Sequence, residues 1–126
     1  MNIDIEHIKS IAETIRQQLF SLTPMNVIMS WGLSGMVATT HNEMPSLRLM
    51  VSGRLHKGAV IISLDEASDY YQLYLIIKEG VRKVAEDLDF TQLGAEIDRW
   101  VEKGDDEEEY RAFCEQEHIR LITGQV

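Results

Sequence analysis

The side chains with the widest chemical reach in this chain are His7, His41, His56 and His118, the lone Cys114, and a cluster of acids at Asp65, Glu66 and Asp69. An imidazole can bind a metal or carry a proton near neutrality. None of the four histidines falls in a His-Glu-x-x-His, Cys-x-x-Cys or His-x-His spacing, so no metal motif can be written and neither metal nor cofactor is expected. His41-x-Glu43 is the closest approach to a ligand pair, and two ligands are half a site.

Nucleophilic catalysis has no better footing. Cys114 lies beside Glu115 and Glu117, whose charge disfavours a thiolate. One cysteine makes neither a disulfide within the chain nor a thiolate zinc cluster. Gly32-Leu33-Ser34-Gly35 contains a Gly-x-Ser, but a nucleophile elbow needs Gly-x-Ser-x-Gly between a strand and a helix. A hairpin turn accounts for both glycines. The sequence has no GxGxxG and no phosphate loop. Asp65, Glu66 and Asp69 share one polar loop, whereas general acid–base work needs carboxyls in contrasting environments. A ligand or catalytic site is expected only where strand ends bring distant residues together. His41, His56 and Asp65 are its candidates, with His56 and Asp65 flanking one strand.

These residues depend on the elements that hold them. Ile5, Ile8, Ile11, Ile15, Leu19 and Leu22 recur at spacings of three and four and predict an amphipathic helix from residue 4 to about 22, ended by Pro24. The period then falls to two. Met25–Trp31 is expected to pair with Met36–His41 across the Gly32–Gly35 turn. Leu47, Leu49, Val51 and Leu55 alternate with Arg48, Met50, Ser52 and Arg54; a turn at Lys57-Gly58 leads into a central strand Ala59–Leu64. Tyr71, Leu73, Leu75 and Ile77 alternate with Tyr70, Gln72, Tyr74 and Ile76, and a weaker strand follows around Val81–Glu86.

Helical spacing returns near Asp89, with Phe90, Leu93, Ile97, Trp100 and Val101 on one face and Gly104 as its stop. Gly94 inside that helix costs about 1 kcal/mol against alanine, so something there tolerates or needs a small residue. A last short helix is expected from about Asp106 to Glu117, with Tyr110, Phe113 and Cys114 inward; Ile119–Ile122 reads as a seventh short strand or a docked tail. The connections between strands are too short for parallel crossovers. The expected fold is α+β: one domain over residues 1–126, with a helix in 1–23, a six-stranded antiparallel meander in 24–88 and one or two helices in 89–126.

Composition narrows the functions. Hydrophobic residues make up 44% and charged residues 26% of the 126, an ordinary globular mix, and no apolar run is long enough to span a bilayer. The first residues spread their charges with no apolar core, which points to the cytoplasm rather than export. The net charge of −9 is lopsided: residues 1–63 carry five Lys/Arg and four Asp/Glu, and residues 64–126 carry seven and seventeen. Such a balance argues against binding nucleic acid or anionic lipid.

Strand alternation puts Arg48, Met50, Arg54, Tyr70, Tyr74 and Ile76 on the sheet face opposite the leucines, richer in Met, Tyr and Ile than a solvated face needs. Either a second helix covers that face, or it is a contact surface for a protein partner or for a second copy in a homodimer.

Ser30-Trp31-Gly32, His56-Lys57-Gly58, Asp69-Tyr70 and Gln92-Leu93…Ile97-Asp98…Val101-Glu102, in that order, are similar to a set of short bacterial proteins of unknown function. The resemblance covers residues 10–103. It implies a bacterial origin and transfers no activity or cofactor. The expected function is a small, non-enzymatic interaction or regulatory module. The alternatives are a ligand-binding protein or enzyme with its site at strand ends, and an acidic decoy that mimics nucleic-acid charge.

Overall fold

The computed structural model describes residues 4–123, with side chains through residue 117. Helix α1 (Ile5–Leu22) begins where the Asp4 carboxylate accepts the His7 N–H at 3.1 Å, and it ends with the Thr23 N–H donating to Leu19 O. It buries Ala12, Ile15 and Leu19, while Ile5 and Leu22 at the ends of the expected stripe are exposed. The helix follows the apolar spacing, and only the middle of the stripe is covered.

Met25–Ser30 is a helix, α2, where the sequence predicts a strand. The expected first hairpin strand is therefore absent, and the meander has five strands rather than six. Pro24 sets the helical entry, and its carbonyl accepts from Val27 and Ile28. Ile28 and Trp31 then turn inward while Met25 and Met29 stay exposed, a three-to-four spacing that a segment of only six residues conceals. Gly32, at φ +60°, closes α2 in the left-handed conformation that glycine takes readily.

The strands are β1 (Gly35–His41), β2 (Met44–Ser52), β3 (Lys57–Asp65), β4 (Tyr70–Ile77) and β5 (Gly80–Leu88), antiparallel neighbours in chain order. Asn42 and Glu43, at φ +50° and +65°, form a two-residue turn of the handedness that suits a twisted hairpin. The β2–β3 turn lies at Gly53–His56, not at Lys57-Gly58: Gly53 N–H donates to His56 O, and Lys57 opens β3.

Leu47, Leu49, Val60, Ile62, Leu73 and Leu75 form the inner face of the sheet. They pack with Ile15 and Leu19 of α1, Ile28, Trp31, and Leu93 and Ile97 of α3 (Leu93–Asp98). Each fully buried side chain of this kind contributes about 1.5–3 kcal/mol. The helix expected to run from Asp89 to Gly104 is shorter. Asp89 and Gln92 form a turn ahead of α3, and residues Arg99–Lys103 widen into a π-turn that buries Val101. Helix α4 (Glu107–Thr123) runs through residues 119–122, which are neither strand nor tail. Its Tyr110 and Phe113 are half-buried, but Cys114 is exposed rather than inward.

Gly94 has its reason: a Cβ there would fall on Thr23 Oγ1, a buried residue at the end of α1. Gly94→Ala should therefore destabilise the fold by about 1–3 kcal/mol despite alanine's better helix propensity. Thermal unfolding checks this, with a smaller loss expected in a Thr23→Ala background; a stability gain from Gly94→Ala alone would contradict the packing.

Candidate functional site

The outer sheet face is built by the residues between the leucines. Register aligns Val37, Arg48, Ile61, Tyr74 and Lys83 in one row, and Met50, Ala59, Ile76 and Val81 in the next. Because α1, α2, α3 and the π-turn all pack on the inner face, no described helix lies across these rows. Helix α4 meets the sheet at one corner, near Ser52 and Lys57. The second helical segment thus shares a side with the first.

The middle of the outer face is nonetheless dry. Ile61 is 6% and Tyr74 4% exposed, while Val37 (59%), Val81 (51%), Tyr70 (45%) and Met50 (37%) form an apolar rim. Small residues explain the centre. Ser46 and Ser63 face each other across β2 and β3, fully buried, their hydroxyls 2.7 Å apart. Over them the His41 and Tyr74 rings meet edge to face, centroids 4.3 Å apart, although two strands separate β1 from β4. In a flat sheet that separation is about 14 Å, so the rings lean inward over a floor that only short side chains leave open. The Tyr74 hydroxyl donates to Gln72 Oε1. Arg48 is exposed beside this centre, without a side-chain hydrogen bond or ion pair among the described residues.

Arg54, expected on this face, is elsewhere. β2 ends at Ser52, and a Cβ on Gly53 would meet the Val101 carbonyl, so the loop turns onto the π-turn. There the Arg54 guanidinium donates to Glu102 O (3.0 Å) and Lys103 O (2.8 Å), while Leu55 and His56 N–H groups donate to Val101 O. Carbonyls at a helix end have no helical partner of their own, and this loop satisfies them. The buried Glu102 carboxylate returns a bond to the Arg54 N–H at 2.7 Å. The same guanidinium stacks over Tyr110 (5.5 Å) and Phe113 (5.3 Å) and pairs with Glu109, which seats α4. A cleft of about 650 Å³ opens between these groups.

His41, His56 and Asp65 do not converge. His56 and Asp65 flank β3 at opposite ends, His56 buried with Nε2 3.0 Å from Ala59 O, and Asp65 accepting the Ala67 N–H. His41 belongs to the outer face. His118 lies outside the described side chains. Among the described residues no three His, Cys, Asp or Glu side chains come together as metal ligands, and no helix is long and apolar enough to cross a membrane. A second cleft, about 460 Å³, lies between α1 and the β3–β4 turn; its Tyr71 hydroxyl donates to Gln18 Oε1, and burial, then the Asp69 charge, push that phenol's pKa up.

The chain is thus an α+β protein with a one-sided helical layer over an antiparallel sheet. Comparison with protein-family models, curated proteins and solved structures finds no match to it.

Removing the guanidinium tests the clamp: Arg54→Ala should cost about 1–3 kcal/mol, because it strips two carbonyls of their donor, and should open α4 to proteases; unchanged stability and cleavage would contradict it. Tyr110 supplies a pH test. Burial of its ring, and then its hydrogen bond with Cys114, raise the phenol from 10.0 to about 12. Folding favours the neutral phenol, so this stabilisation is complete below pH 10 and is lost as pH rises from there through about 12. Tyrosinate absorbance of the wild type against Tyr110→Phe should assign a transition near 12 to this residue; a transition at the ordinary value would mean that the ring is not docked.

Proposed function

We propose that this chain is a non-enzymatic protein-interaction module that seats a partner protein on its outer sheet face. One observation supports this above the others: α1, α2, α3 and the π-turn share one side of the sheet, leaving Val37, Met50, Ile76 and Val81 on the other with Arg48, which has no side-chain partner among the described residues. Contiguous apolar surface on a folded chain marks a contact site, and arginine amid apolar residues is a common anchor of such sites. The fitting partner surface is apolar with a carboxylate placed to meet Arg48. Face-to-face pairing of two copies would bring Arg48 near its own mate, which favours a different protein as the occupant. A single exposed Cys114 suits a reducing, cytoplasmic setting.

The decoy reading has less behind it. In the run from Asp105 to Glu109, Asp105 pairs with Arg99, Asp106 caps Glu109 N–H, Glu107 pairs with Lys103 and Glu109 with Arg54. Four of its five carboxylates serve the chain's own structure. The ligand-site reading has its three residues dispersed.

Affinity capture tests the proposal. Wild type should retain a stoichiometric partner from extract of the source cells, and Met50→Glu/Val81→Glu should reduce its retention about tenfold or more at unchanged thermal stability. Equal retention by both would remove the outer face from the interface. A wild type that captures nothing and turns over a small molecule would overturn the proposal.

A further inference from the structure

β1 is an edge strand without the devices that keep edges single. Its hydrogen-bond phase can be read from β2. Met50 O accepts the Ser34 N–H at 2.9 Å and the Ser52 N–H donates to Trp31 O at 2.8 Å, so the even-numbered residues of β2 turn their backbone groups toward β1. Pro45, which has no N–H, stands opposite Thr40, as a non-bonded pair requires. The odd residues of β1 are therefore the ones laddered to β2. Met36, Ala38 and Thr40 direct their N–H and C=O groups outward, and among the described residues these meet no further strand, Thr40 O receiving a 3.5 Å contact from Thr39 Oγ1.

The opposite edge is guarded. β5 carries two register shifts, the charges Arg82, Lys83, Glu86 and Asp87, and a positive φ at Asp87. Bulges and charges are how sheets prevent edge pairing. β1 reads Gly-Met-Val-Ala-Thr-Thr-His, with no bulge, proline, lysine or acid, and with Met36 and Val37 exposed.

We infer that β1 pairs antiparallel with β1 of a second copy about a two-fold axis at Ala38, joining two five-stranded sheets into one of ten strands. The three residues with free backbone groups are symmetric about Ala38, so one register uses all of them. Ala38 meets Ala38, and Met36 meets Thr40 on each side, every pair exchanging two hydrogen bonds. Between them Val37 faces Thr39, and no like charges meet. A second copy brings the matching strand in its own fold, whereas a foreign segment would have to be ordered first. The outer faces of the two copies then run on continuously. This pairing does not depend on what that face binds, since the Met50→Glu/Val81→Glu variant leaves β1 untouched.

Thr40→Pro separates the edge from the rest. Thr40 is exposed and its N–H does not serve β2, so proline removes an intermolecular donor while sparing the internal ladder. Sedimentation equilibrium from about 1 to about 100 μM should give wild type twice the 14.4 kDa chain mass at the upper end, and Thr40→Pro the single-chain mass with an unchanged circular dichroism spectrum. In parallel, the wild-type amides of Met36, Ala38 and Thr40 should exchange more slowly as concentration rises. A wild type that remains a monomer, or a dimer that persists in Thr40→Pro, overturns the inference. Should the proline variant not fold, wild-type exchange decides: rates at these three amides that ignore concentration overturn it equally.

Discussion

A sheet has two faces, and this chain has a helical layer for one of them. That constraint is set at Trp31. Its indole is fully buried against the leucine side of the sheet, and its Nε1–H donates to Asp98 at 3.0 Å, so α2 and the α3 segment are tied to the same side that α1 already covers. Among the described residues, the other side has no helix across it. That side closes its middle by sinking Ser46 and Ser63 into the floor and folding the His41 and Tyr74 rings over them. What stays exposed is the rim, where Val37, Met50, Tyr70 and Val81 stand among the cations Arg48 and Lys83.

The second organising interaction is the loop between β2 and β3. Arg54, Leu55 and His56 together satisfy the carbonyls of residues 101 to 103, where the helical ladder widens and stops. The wide turn and the loop explain each other: Val101 O is taken by two loop amides, and Gly104 N–H reaches back to Arg99 O at 3.0 Å. Arg54 then spends its remaining surface on the α4 aromatics. One side chain thereby joins sheet, π-turn and last helix. This is why it is missing from the outer face, to which alternation alone would assign it.

Legibility in the sequence followed the range of the interaction. α1 could be read because its stripe repeats through eighteen residues, and β2 to β4 because alternation there matches a sheet with one buried face. Gly94 could be singled out because glycine inside a helix needs a reason, though its partner Thr23 could not be named. α2 was not legible, since a six-residue segment of four apolar residues with Asn26 and Ser30 fits either period. Arg54 was not legible either, because its hydrogen-bond partners lie 48 to 55 residues away. Of the candidate site, Met50, Tyr70, Tyr74 and Ile76 were recognisable from alternation. His41 carried no sign of its contact with Tyr74, which depends on two intervening strands having short side chains at one level.

The proposed contact places a partner protein on the outer face and not on the helical side. Methionine oxidation footprinting carries its own reference for this. Met50 lies on the outer face, 37% exposed, while Met25 and Met29 lie on α2 at 60% and 73%. With the purified chain and then with the chain in extract of its source cells, oxidation rates at the three sulfurs can be compared in one digest. With a partner on the outer face, Met50 slows in extract while Met25 and Met29 keep their rates; protection of Met25 and Met29 with Met50 unchanged would contradict that placement.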